Sequence, residues 1–76
     1  MTSPEKIVAQ FLQVRKFNKQ AYENGWVTLE EYEKAQRDVV FDYADWLSAG
    51  DEEQRPYAIL TLLDREAQQK TALKCA

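Results

Sequence analysis

Histidine is absent from this 76-residue chain, cysteine occurs once, and glycine and proline occur twice each. The missing imidazole removes Ser-His-Asp and Cys-His nucleophile activation, the commonest general base, and every zinc site built with histidine. The lone Cys75 leaves no intrachain disulfide and no Cys-x-x-Cys redox pair, which points to a reducing, cytoplasmic compartment. Two glycines cannot build a phosphate-cradling loop, and neither stands in a P-loop or dinucleotide spacing. No apolar run approaches the roughly 18 residues of a membrane span, and Met1 to Lys6 lacks the basic stretch and apolar core of an export signal. The expectations are therefore no enzyme, no metal, no cofactor, no small-molecule substrate and no membrane partner.

Charge is nearly balanced, with ten basic against thirteen acidic residues and a net charge of -3. That favours solubility and works against attraction to phosphate backbones, so nucleic acid is a disfavoured partner. Aromatic residues, in contrast, are plentiful: two Trp, four Tyr and three Phe. A domain this small buries only about 60% of its unfolded surface and has more aromatic rings than one small core can hide. Without disulfides or a structural metal, the remaining support for a small scaffold is a partner or a second copy of itself.

Hydrophobic periodicity is helical throughout and predicts an all-α fold, an antiparallel helical hairpin plus a third helix over about 4–24, 29–48 and 53–73. The first helix opens at Thr2-Ser3-Pro4-Glu5, with Ser3 as N-cap and Pro4 at the first helical position, or with Thr2 and Glu5 as a capping box. Ile7, Val8, Phe11, Leu12, Val14, Ala21 and Tyr22 form its apolar face, and Asn24-Gly25 supplies a left-handed stop. The second start is the strongest in the chain, because Thr28 and Glu31 make a capping box while Val27 and Tyr32 hold the positions of a hydrophobic staple. Its stripe of Leu29, Tyr32, Val39, Val40, Tyr43, Trp46 and Leu47 fits an arc of roughly 120° before Ala49-Gly50 ends it. Asp51 and Gln54 suit a third cap, but Pro56 would then fall deep in the helix, which favours a later start. That helix is densely apolar at Tyr57, Ile59, Leu60, Leu62 and Leu63 and mostly polar from Asp64 to Lys74.

Glu23-Asn24-Gly25-Trp26-Val27-Thr28-Leu29-Glu30-Glu31-Tyr32-Glu33 resembles the helix-turn-helix hairpin of SHOCT-type short bacterial domains. A glycine stop followed by a capping box produces the same letters, so the likeness reads as shared helix-start chemistry.

Three groupings bear on function. Glu31, Asp38, Asp42 and Asp45 fall within roughly 80° on the second helix and form an acidic ridge: a solvated face, a docking surface for a basic partner, a weak divalent-cation site or an imitation of a nucleic-acid backbone. The cation site is disfavoured because inward-facing ligands from a second helix are wanting. Arg15, Lys16 and Lys19 cluster on the first helix near Phe11, Phe17 and Tyr22, too few charges for a nucleic-acid face and suited to pairing with the ridge or with a protein. Phe41, ringed at helical spacing by Lys34, Arg37 and Ser48, stands opposite Tyr43, while Phe17 lies at the edge of its stripe and Trp26 in the first turn. Phe41 and Phe17 are either core residues covered by the third helix or anchors for a partner, and Trp26 either lids the core or protrudes. Asn18, centred on an apolar face, needs a hydrogen-bond partner such as Tyr43, or fixes the register of an assembly. The expectation is a non-catalytic, cytoplasmic interaction module, a regulator, adaptor or inhibitor of a larger protein. Its partner-binding residues are Phe41, Phe17, Trp26, Glu31, Asp38, Asp42 and Asp45, and a homodimer is one form it could take. The alternative is a small helix-turn-helix regulator binding nucleic acid.

Overall fold

The computed structural model describes the backbone of residues 3–75 and side chains through residue 69. It contains three helices, α1 (Pro4–Glu23), α2 (Leu29–Leu47) and α3 (Arg55–Cys75), and among the described residues no strand. The cysteine thiol and the Ala72 and Leu73 side chains lie outside the described residues.

Each boundary follows from local chemistry. Ser3 caps α1 by accepting from the Lys6 amide, with Pro4 following where a missing N–H costs nothing. The helix ends in a Schellman motif: the Gly25 amide donates to the Tyr22 carbonyl and the Trp26 amide to the Ala21 carbonyl, with Gly25 left-handed at φ 75. α2 opens on the reciprocal capping box, in which the Glu31 amide donates to Thr28 Oγ1 at 3.2 Å and the Thr28 amide donates to Glu31 Oε1 at 3.0 Å.

The end of α2 departs from a simple glycine stop. The Schellman bonds run from Ala49 to Trp46 and from Gly50 to Asp45, so the left-handed position next to the helix belongs to Ala49, at φ 54, with Gly50 following at φ 78. α3 begins at Arg55, two residues later than expected. Asp51 organises the intervening turn: its carbonyl accepts from the Gln54 and Arg55 amides and its carboxylate from the Glu53 amide. Pro56 thus sits in the first turn of α3, where its missing donor is tolerated.

α2 packs along both neighbours, while α1 and α3 touch at few points. The result is a small three-helix bundle with α2 in the middle and a cleft between α1 and α3. The core is thin. Phe11 of α1, Ala44 of α2, and Ala58 and Leu62 of α3 form the buried cluster, with Val8, Leu12, Val39, Val40, Tyr43, Leu47 and Ile59 half-buried around it. Among the described residues Phe11 and Leu62 are the largest fully buried side chains, and Ile7 and Ala21 of α1 are buried as well. The Phe11 ring meets Tyr43 edge to face at 5.9 Å, and Tyr22 stacks on Tyr32 at 4.9 Å, which joins α1 to α2 beside their connecting turn. Two members of the expected α2 stripe are not core: Leu29 and Trp46 lie exposed at its edges, and the small Ala44 is the residue that lets α3 approach.

Candidate interaction surface

The outward side of α2 is built by helical spacing alone. Asp38 and Asp42 stand one turn apart. Phe41 lies three residues from Asp38 and four before Asp45, and Trp46 lies four beyond Asp42, so each pair meets on the helix surface. The result is a carboxylate ridge bordered on one side by Phe41 and on the other by Trp46. Phe41 is 56% exposed and Trp46 44%. α3 therefore does not cover Phe41, and the core alternative for that ring and for Phe17 is set aside by their exposure.

The four ridge carboxylates differ in their local duties. Asp45 accepts from Arg55 Nη2 at 2.8 Å, tying the end of α2 to the start of α3. Glu31 is occupied in the capping box, and the Thr28 backbone amide, then its hydroxyl, hold the Glu31 carboxyl below its ordinary value. Asp38 and Asp42 are exposed and have no ion-pair partner among the described residues. The structure thus brings Phe41, Asp38, Asp42 and Asp45 together on one stretch of helix. It places Phe17 on α1 and Trp26 in the α1–α2 turn, both strongly exposed and on other elements.

Among the described residues the basic cluster forms no ion pair with this ridge. Arg15 turns toward α3: its Nε and Nη2 each donate to a Glu66 carboxylate oxygen at 2.7 Å, and its Nη1 donates to the Gln36 carbonyl at 3.3 Å. That hydrogen bond to Glu66 raises the Arg15 guanidinium above its ordinary value against the opposing cost of burial. Gln36 is the hub of the network, since its amide nitrogen donates to the Arg15 carbonyl and the Tyr32 hydroxyl while its amide oxygen accepts from Asn18. Asn18 is therefore satisfied by Gln36, not by Tyr43. Beside the network the α1–α3 cleft opens to about 530 Å³, with Leu12, Lys16, Lys19, Tyr32 and Gln69 among its walls.

One exposed apolar face went unread in the sequence. Tyr57 is 65% exposed, Leu60 64% and Leu63 39%, all on the side of α3 that faces away from α2. The available signal was that the first half of this helix is apolar around its whole circumference, whereas its neighbours reach only one side.

These features define a small three-helix bundle with an acidic, aromatic-edged helix surface. No family model, no curated protein and no solved structure matches the chain, and the likeness of the Glu23–Glu33 hairpin to SHOCT-type domains rests on capping chemistry alone.

Proposed function

We propose that this protein is a non-catalytic interaction module, a small cytoplasmic regulator, adaptor or inhibitor that docks a larger protein against the outer side of α2. The observation that carries the reading is Phe41: a large ring, more than half exposed, beside Asp38 and Asp42, which have no ion-pair partner among the described residues. Bulky aromatics are enriched at the energetic centres of interfaces, and flanking charges steer the encounter and set the choice of partner. Asp38 and Asp42 favour a basic surface with a pocket for the ring. The same acidity speaks against a nucleic-acid ligand, whose phosphates the ridge would repel.

The test is affinity capture from native lysate with mass-spectrometric identification, comparing the unmodified chain with a chain carrying Asp38→Lys and Asp42→Lys. The reading expects one dominant protein that the charge reversal releases, with capture weakening as salt is raised. Retention of the same protein by the reversed ridge, or a low-salt gel shift with DNA or RNA, would overturn it.

A further inference from the structure

We propose that the cleft between α1 and α3 binds a small, singly charged organic anion, a carboxylate head on an aliphatic or aromatic body. The cleft opens to about 530 Å³, inside the ~300–1,000 Å³ of small-ligand sites. One wall is a stripe of α1: Leu12, Lys16, Lys19 and Glu23 follow one another at spacings of four, three and four residues, and all line the cleft. Lys16 and Lys19 are exposed neighbours of like charge on the helix surface, and neither has an ion-pair or hydrogen-bond partner among the described residues. Arg15 lines the same cleft but is already matched by the Glu66 carboxylate and the Gln36 carbonyl. The two lysines are therefore the cations left to meet a ligand.

Tyr32 adds a neutral donor to the opposite side of this stripe. Its ring stacks on Tyr22 at 4.9 Å and its hydroxyl oxygen accepts from Gln36 Nε2 at 3.3 Å, so the side chain is held from two directions. A phenol both accepts and donates, and the Tyr32 O–H proton has no acceptor among the described residues. A carboxylate has two oxygens, enough to accept from the phenol and from an ammonium group together. Leu12, half-buried, and the Tyr32 ring give the ligand's body apolar contact.

Charge sets the valence of the head group. Arg15, Lys16 and Lys19 against Glu23 and Glu66 leave the walls one positive charge in excess, on a chain whose net charge is -3. That local excess attracts a monoanion, whereas a doubly charged phosphate would be set more strongly against Glu23 and Glu66. None of Phe41, Asp38, Asp42 and Asp45 lines the cleft, so this site is separate from the outer side of α2.

An amide-resolved NMR titration of the full chain tests the proposal, with octanoate and naphthalene-2-acetate as probes and naphthalene-2-acetamide and 2-naphthyl phosphate as their neutral and doubly charged counterparts. A carboxylate should give saturable shifts centred on Lys16, Lys19, Tyr32 and Gln36, with the neutral amide weaker by about tenfold or more and the phosphate weaker than the carboxylate. Replacing Lys16→Gln and Lys19→Gln together, both at exposed positions, should leave the melting temperature near that of the unmodified chain and cut carboxylate affinity about tenfold. Tyr32→Phe keeps the ring and removes the donor, for a loss of about fivefold. Phe41→Ala should leave carboxylate affinity unchanged, so failure at the cleft and failure of the α2 surface are told apart. The proposal is overturned by the absence of saturable shifts with either carboxylate at millimolar concentration, by equal binding of acid and amide, by tighter binding of the phosphate, or by affinity that survives loss of both lysines.

Discussion

Arg15 and Glu66, separated by 51 positions in the chain, meet in a two-pronged ion pair with both N–O distances at 2.7 Å. This is the main polar link between α1 and α3, and its Gln36 contact joins α2 to the same point. Paired planar geometry of this kind makes the strongest of the charge-assisted hydrogen bonds. The two side chains retain 18% and 15% exposure, so Glu66→Ala should cost ~2 kcal/mol, below the ~3–5 kcal/mol of a fully buried broken pair. The measurable result is a fall in Tm of roughly 10 °C in a domain of this size. Replacing both residues with Met should recover most of the loss, because no charge is then left unpartnered; a double variant worse than either single one would contradict this.

The α2 stop makes a prediction of opposite sign at adjacent positions. Ala49 is left-handed at φ 54, a conformation that L side chains resist and glycine accepts. Ala49→Gly should therefore stabilise by ~1 kcal/mol despite the added freedom of the unfolded chain. Gly50→Ala should destabilise by ~1 kcal/mol through backbone strain, since an added methyl would meet no atom within 4 Å. Chemical denaturation of the two variants distinguishes this stop from one that depends on Gly50 alone.

Acid should weaken the start of α2. The folded Glu31 carboxyl titrates below its ordinary value of 4.5, owing first to the Thr28 amide. A group depressed on folding contributes its full stability above the unfolded value and loses it as pH falls through the folded value. The capping-box contribution is thus complete at neutral pH and fades below about 4.5. Glu31→Gln keeps an acceptor for the Thr28 amide and removes the titration. Its denaturation midpoint should fall less between pH 7 and pH 3 than that of the unmodified chain, and an identical acid response would refute the assignment.

The parts legible in sequence were those decided within a few residues. Ser3, Thr28 with Glu31, and Asn24-Gly25 set the ends of α1 and the start of α2 through bonds spanning three to five positions, so the hairpin could be read directly. The end of α2 was less legible because either Ala49 or Gly50 could take the left-handed position, and the Asp51 turn that delays α3 depends on backbone bonds no letter code displays. The pairing of Arg15 with Glu66, and of Asn18 with Gln36, was hidden because it depends on how α3 crosses α1 and on which glutamine lies beneath the crossing. The exposure of Leu60 was hidden for the same reason: a helix apolar on every side does not reveal which side its neighbours will cover. The groups on the outer side of α2 were readable, since a single helix sets their spacing; that Phe41 stays uncovered was decided by α3.

The most direct measurement is Phe41→Ala, followed by melting temperature and partner capture on the same preparation. Because the ring is 56% exposed and outside the buried cluster, Tm and helicity should stay close to those of the unmodified chain while capture falls at least tenfold, a loss of about 1.4 kcal/mol. A large drop in Tm with capture intact would place Phe41 in the structural core and contradict the interaction surface on α2.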